Sequence, residues 1–405
     1  MIAKISPSKI SGCVKAPPSK SMAHRYIICA SLAEGKSRID NIAYSEDIKA
    51  TLDCIEALGA KIHRGEGYVE IDGTDTLKAT PSGILGVRES GSTLRFMIPV
   101  ALLSGNKTEF CGSTRLFERP LGVYEAIAKE NGFEFEKCEN GLSVCGRLNS
   151  GKYYINDNKS SQFITGLLLA LPLLDGDSEI ILESYPESKP YIDMTMEAMR
   201  DFGVRAEFDG ERVFRIFGNQ KYTARNITVE GDCSNAAFFE ALNLVGGEAS
   251  VSGIRKDTLQ GDAIYLDYFK KIKEGNPALD ISDCPDLAPI LLALLAECGG
   301  GRLVGTRRLR FKESDRGEVM KKELSKFGAE ITCLENEIIV KGTNLHTPTE
   351  RISSNSDHRV VMACAVLMTK YGGEIDGCED CAKSMPDFFE ELTRVGGKIE
   401  RYNEF

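Results

Sequence analysis

One arrangement of polar and apolar positions returns six times along the chain. A short polar stretch opens onto an apolar run of helical length at Ser21-Met-Ala-His-Arg25, Ser92-Thr-Leu-Arg95, Ser161-Gln-Phe-Ile164, Ser234-Asn-Ala-Ala-Phe238, Asp286-Leu-Ala-Pro289 and Asp357-His-Arg-Val360. Successive starts lie 71, 69, 73, 52 and 71 residues apart. Each is followed by an amphipathic helical pattern that closes on glycine and then alternates like a strand, as in Leu324-Ser-Lys-Phe-Gly328-Ala-Glu-Ile331. The glycines are Gly59, Gly132, Gly203, Gly275, Gly328 and Gly396, at 38, 40, 42, 41, 42 and 39 residues from their starts. Two markers therefore keep step six times, and only the stretch after Gly275 is short, by about 20 residues against the usual repeat.

A glycine closing a helix reads as a position with φ > 0, where the chain reverses into a strand. The predicted unit is strand, buried helix, strand, amphipathic helix and two strands, βαβαββ, with most of the terminal hairpin lost from the fourth copy. Six units exceed a single core and should group three and three. A boundary near 227–231 suits this, because the fourth start follows it. The segment 1–15 precedes the first start and is able to pair with either group.

Composition narrows the function. With 405 residues, 42% hydrophobic and 27% charged, the chain is ordinary for a globular protein of two or three domains. Its 50 basic and 60 acidic residues give a net charge of −10, which argues against nucleic acid or an acidic membrane as main partner. The longest apolar runs, Leu94–Leu103, Leu167–Leu174 and Leu287–Ala296, fall short of the ~18 residues of a membrane span. The start Met1-Ile-Ala-Lys-Ile-Ser6 lacks an apolar signal core, and 13 scattered cysteines read as small buried hydrophobes in a reducing cytoplasm. Cys378 and Cys381 form a lone Cys-x-x-Cys, and the histidines His24, His63, His346 and His358 show no metal-ligand spacing.

The polar helix starts carry the candidate chemistry. A helix N-terminus offers unpaired N–H groups and the positive end of a dipole, so converging starts make an anion site. Lys20, Arg25, Arg95 and Arg359 add charge there. Plain N-capping by Ser and Asp is the better explanation of any one start, but six in register, several with Arg or Lys, favour a shared site. Lys15-Ala-Pro-Pro-Ser-Lys20-Ser21 lacks the glycine-rich loop of a nucleotide P-loop. Arg119, next to Pro120, stands at the predicted mouth of the helix ending at Gly132, placed to grip a phosphate or carboxylate. The run Leu309-Arg-Phe-Lys312-Glu313-Ser-Asp-Arg316 fits either a solvated face or a charged cleft.

Taken together, Pro18-Ser-Lys-Ser-Met-Ala-His-Arg25, Glu89-Ser-Gly-Ser-Thr-Leu-Arg95, Arg119-Pro120, Ser160-Ser-Gln162, Ser188-Lys-Pro-Tyr191, Gly231-Asp-Cys-Ser-Asn235, Pro285-Asp286, Lys312-Glu-Ser-Asp-Arg316, Asp357-His-Arg359 and Lys383-Ser-Met-Pro386 resemble the 5-enolpyruvylshikimate-3-phosphate synthase family of enolpyruvyl transferases. They run in order over essentially the whole chain. The resemblance implies an α/β (α+β) fold of two lobes, each of three inverted βαβαββ units: 16–228, and 1–15 with 229–405. Hinges near 15–18 and 227–231 would let the lobes close on substrate. Glu89, Arg308, Cys233 and Met385 depart from residues common in the family.

The implied reaction joins phosphoenolpyruvate to the 5-hydroxyl of shikimate 3-phosphate and releases phosphate, with no metal or cofactor, in a cytoplasmic monomer. By resemblance, Lys20, Arg119, Arg316, Arg359 and Lys383 would hold phosphoenolpyruvate, and Gly91 would keep its pocket tight. Glyphosate inhibition follows as an expectation. Ser21, Arg25, Ser160, Ser161, Gln162, Ser188, Tyr191 and Lys312 would hold shikimate 3-phosphate. Addition and elimination through a tetrahedral ketal need a base for the hydroxyl and an acid for the methylene carbon. Asp286 is expected as the base, and Glu313, with Lys20, as the group handling the proton at carbon. A transferase acting on UDP-N-acetylglucosamine is the nearest rival. Its usual loop cysteine, five residues before Arg-Pro, is here Thr114, with Cys111 off register. A non-catalytic anion- or nucleic-acid-binding repeat is disfavoured by the net charge and the lack of aromatic-basic interleaving.

Overall fold

The computed structural model describes residues 1–156 and 160–403. They fall into two compact units, Pro18–Glu230 and Met1–Pro17 with Gly231–Phe405. Each unit has its own apolar core, one drawn from residues 22–229 and the other from residues 3–16 and 233–395.

The second repeat shows the unit in full. Strand Leu85–Arg88 leads into helix Gly91–Ala101, strand Gly105–Gly112, helix Gly122–Asn131 and the hairpin Glu134–Cys138 with Gly141–Gly146. The first two strands pair in parallel across the helix, and the hairpin adds antiparallel, last strand first. Four other sheets share this order. Two of them complete themselves with strands from far along the chain. Asn226–Thr228 pairs in parallel with Lys36–Asp40, and Ile2–Ser6 runs antiparallel to both Gly373–Asp376 and Lys398–Tyr402.

The fourth unit is the exception, with a two-stranded sheet, Ser11–Lys15 beside Glu248–Ser252. The outer edge of Glu248–Ser252 would otherwise show unpaired backbone. Asn243 masks it by accepting from the Ala249 N–H at 2.7 Å and donating to the Ala249 carbonyl at 2.8 Å. Glu240 accepts from the Val251 N–H at 3.0 Å. Side chains thus stand in for the absent hairpin.

All six closing glycines have positive φ, between 74° and 107°. Gly132 is the plainest case, left-handed at φ 74°, ψ 28°, with its N–H on the Ala128 carbonyl. The first helix of each unit is buried nearly all round, as its uninterrupted apolar run requires. The helix that closes at Gly132 begins at Gly122, two residues past Pro120, after a separate short helix, Thr114–Glu118, whose N-cap Ser113 accepts from the Leu116 N–H. Pro120 lies in the connection, where its fixed φ and missing N–H cost nothing. No helix among the described residues is long and apolar enough to cross a membrane.

Candidate functional site

Five of the six polar starts are capped, but the capping side chains are Ser19, Ser90, Ser160, Asp232 and Asp357. The cap precedes the motif residue at four of these starts, which leaves the side chains of Ser21, Ser92, Ser161 and Ser234 for other work. At the fifth start, Asp286 sits in a short 3-10 turn, Pro285–Leu287, and caps nothing.

In the Pro18–Glu230 unit, three buried helix starts are tied together by polar side chains. His24 is hydrogen-bonded to Thr51 at 2.7 Å, Thr51 to Thr93 at 2.7 Å, and Thr93 donates to Ser90 at 2.7 Å. Burial, with Lys20 and Arg25 nearby, holds the His24 imidazole well below its usual range and therefore neutral. Lys20, at the first helical position, pairs with Asp47 at 2.8 Å. Gln162 donates to Ser92 at 2.9 Å and accepts from Arg95 at 3.1 Å, while Arg95 also donates to the Pro120 carbonyl at 3.0 Å. Arg95 therefore fixes both Gln162 and the turn that carries Arg119.

Gly91 lies against the same two arginines. A Cβ built there would stand 2.6 Å from Nη1 of Arg119 and 2.9 Å from Nη1 of Arg95. Arg25 is buried, donating to Thr195 Oγ1 and to the carbonyls of Ser21 and Tyr191. Burial pushes its guanidinium down to about 10. Ser188, also buried, takes a left-handed backbone at φ 55° immediately before helix Lys189–Asp201, and its carbonyl accepts from the Tyr191 N–H. A non-glycine residue held there is a strained position of the kind that gathers at functional sites. Ser160 accepts from the Gln162 N–H, and Ser161 opens the buried helix Ser161–Ala170.

The other unit gathers Asp286, Lys312, Glu313, Arg316 and Arg359. Oδ1 of Asp286 accepts from Arg316 at 2.7 Å and from Lys312 at 3.1 Å, and Oδ2 accepts from Arg359 at 3.2 Å. Burial pushes the Asp286 carboxyl up, but Arg359, Lys312 and Arg316 outweigh it and hold the group well below the usual carboxylate range. Arg316 is 1% exposed and touches three carboxylates: Asp286, Glu313 at 2.7 Å and Asp357 at 2.9 Å. Burial works against its charge, yet the three anions hold it well above an ordinary arginine. Arg359 reaches Ser234 at 3.0 Å as well as Asp286. Burial lowers the Lys312 ammonium below the usual lysine value. Lys383, at the end of the turn Cys378–Lys383, donates to the Ser356 carbonyl at 2.8 Å.

Within each unit the residues named from sequence are therefore neighbours of helix starts. Lys20, Ser21, Arg25, Gly91, Arg119, Ser160, Ser161, Gln162, Ser188 and Tyr191 belong to one unit, and Asp286, Lys312, Glu313, Arg316, Arg359 and Lys383 to the other. Sequence reasoning gave no role to Asp47, and named Arg95 and Asp357 only as part of the polar helix starts; their contacts with Gln162 and Arg316 emerge from the fold. For Arg95 the signal was its place one turn inside a capped, otherwise apolar helix.

Comparison with known proteins agrees over the whole length. A family model described as EPSP synthase (3-phosphoshikimate 1-carboxyvinyltransferase) matches residues 5–392. A curated 3-phosphoshikimate 1-carboxyvinyltransferase of Clostridium novyi (strain NT) is 40% identical over 429 aligned positions, covering 99% of this chain and 98% of its own. That of Clostridioides difficile (strain 630) is 37% identical with the same coverage. In fold, the chain is similar to a solved EPSP synthase of Acinetobacter baumannii, with TM-score 0.79, 23% identity, and coverage of 99% of this chain and 100% of that one.

Proposed function

The chain belongs to the EPSP synthase family, and from that premise we propose that it transfers the enolpyruvyl group of phosphoenolpyruvate to the 5-hydroxyl of shikimate 3-phosphate. The hydroxyl oxygen bonds to C2 of phosphoenolpyruvate while C3 gains a proton, giving a tetrahedral ketal. Loss of a C3 proton then expels phosphate and leaves the enol ether. The observation that carries this reading is Asp286, a helix-start carboxylate that caps nothing and is held by three cations.

Asp286 is the base toward the hydroxyl. In the free protein its cations make it a weak base, so the chemistry needs them drawn away. Anionic substrates do this, because Arg316, Arg359 and Lys312 are the groups assigned to substrate phosphate and carboxylate. Binding then raises the basicity of Asp286 when it is required. Glu313, held by Arg316, moves the proton at C3 with Lys20. Lys20, Arg119, Arg316, Arg359 and Lys383 hold phosphoenolpyruvate. Ser21, Arg25, Ser160, Ser161, Gln162, Ser188, Tyr191 and Lys312 hold shikimate 3-phosphate, and Gly91 leaves room for Arg119. Fixed cations facing developing charge supply the electrostatic part of catalysis. The protein acts as a cytoplasmic monomer without metal or cofactor.

The test is phosphate release with phosphoenolpyruvate and shikimate 3-phosphate, using UDP-N-acetylglucosamine as the control acceptor. Release with shikimate 3-phosphate alone supports the proposal, and release only with the nucleotide sugar overturns it. Thr114, where the rival enzyme carries cysteine, argues for the first outcome.

A further inference from the structure

Glu323 is a fully buried carboxylate outside the chemistry assigned above. It lies two helical turns beyond Arg316 on helix Arg316–Ser325, a spacing that places both on one face. Its Oε2 accepts from Lys326 Nζ at 2.6 Å and from the Ser353 N–H at 3.0 Å, and its Oε1 accepts from Asn355 Nδ2 at 3.1 Å. The carboxylate thus ends on the turn before helix His358–Tyr371. In that turn two consecutive non-glycine residues, Asn355 at φ 49° and Ser356 at φ 56°, stand in the left-handed region. Such a pair persists only where its surroundings over-determine it.

The turn delivers functional groups. The Ser356 carbonyl receives Lys383, and Asp357 caps the helix through the Arg359 N–H at 3.0 Å while binding Arg316 through its side chain. One helix therefore grips the turn twice, through Arg316 on Asp357 and through Glu323 on Ser353 and Asn355.

We infer that Glu323 is a positioning residue for phosphoenolpyruvate: it holds the Ser353–Ser356 turn in its strained form, so that Lys383, Arg359 and Arg316 stand where the anion needs them. This rests on the proposed function above. Glu323 touches no substrate and acts through the turn.

The experiment compares the wild-type protein with Glu323→Gln and Asn355→Ala, measuring KM for phosphoenolpyruvate, calorimetric affinity for shikimate 3-phosphate alone, and thermal melting. Misplacing catalytic groups by about 1 Å costs on the order of 10²-fold, so a smaller shift of this turn should raise KM for phosphoenolpyruvate about tenfold in either variant. Shikimate 3-phosphate affinity should hold within about twofold, since most of its assigned ligands lie in the other unit. In Glu323→Gln, adding Ser356→Gly, which relaxes the left-handed backbone, should recover part of the loss. A lower melting temperature with unchanged KM in the folded variants would overturn the inference and leave Glu323 a purely structural residue. Should Glu323→Gln not fold, an unchanged KM in Asn355→Ala alone overturns it. A wild-type protein inactive on the substrate pair would instead remove the proposed function, and the inference with it.

Discussion

Replacing Asp286 with asparagine separates charge from shape. The amide keeps one oxygen for Arg316 and Lys312, now at 2.7 and 3.1 Å from Oδ1, and turns an N–H2 toward Arg359, whose Nη2 stands 3.2 Å from Oδ2. Local charge changes from three cations against three carboxylates to an excess of one cation. The stability loss is bounded from the structure. Orphaning a buried charge costs about 3–5 kcal/mol, but Arg316 keeps Glu313 and Asp357. A loss nearer the ~1.5–3 kcal/mol of a charged hydrogen bond is expected. Turnover should fall on the order of 10²–10⁴-fold as the general base disappears, which is about 3–5.5 kcal/mol of barrier. The extra positive charge should leave KM for phosphoenolpyruvate unchanged or lower it.

Steady-state phosphate release, with a melting curve for each protein, reads all three quantities. Turnover within tenfold of wild type would refute the base assignment and pass the role to Glu313. A parallel loss of phosphoenolpyruvate binding would refute the electrostatic part of the argument, because it would show Asp286 organising the cations rather than competing with substrate for them.

Gly91→Ala should raise KM for phosphoenolpyruvate severalfold, because the new methyl would displace the guanidinium of Arg119 and press on the buried, hydrogen-bonded Arg95; an unchanged KM would show that Arg119 does not serve that substrate. The folded pKa of Asp286 lies below its unfolded value of about 3.9, so its contribution to stability is complete above roughly pH 5 and drains away as pH falls through the folded value. The gap in melting temperature between wild type and Asp286→Asn should therefore stay constant above about pH 5 and narrow as pH falls below about 4, and a gap still constant at about pH 3 would contradict the depressed pKa. Gly132→Ala, at φ 74° with open space around the site, should cost about 1–2 kcal/mol through backbone conformation alone, read as a lowered midpoint in urea; a neutral result would contradict the left-handed closure.

The repeat was legible because its two markers are local. A helix closing into a reversing strand needs positive φ, and Gly59 through Gly396 declare that position at every copy. The short interval after Gly275 likewise announced a sheet without its hairpin, now seen as the lone pair Ser11–Lys15 and Glu248–Ser252. What covers the open edge was not legible. Asn243 and Glu240 look like ordinary polar residues of a helix end, and only their contacts with Ala249 and Val251 show them replacing a strand.

The same divide runs through the candidate site. Ser19 and Ser21, or Ser90 and Ser92, are equivalent caps by residue type, and only backbone geometry chooses the earlier of each pair. That choice matters, because capping satisfies the helix end without consuming Ser21 or Ser92. Lys312, Arg316 and Arg359 meet Asp286 across 26, 30 and 73 residues, a convergence that no local pattern encodes. Arg316 illustrates the consequence. Read along the chain, it was one cation in an alternating run; in the fold it is shared by Asp286, Glu313 and Asp357. An arginine so held is costly to displace, so substrate must compete with three carboxylates for it. The anion that wins also frees Asp286 and Glu313 to exchange protons. On this argument the buried carboxylates are the means by which substrate charge switches on acid–base chemistry.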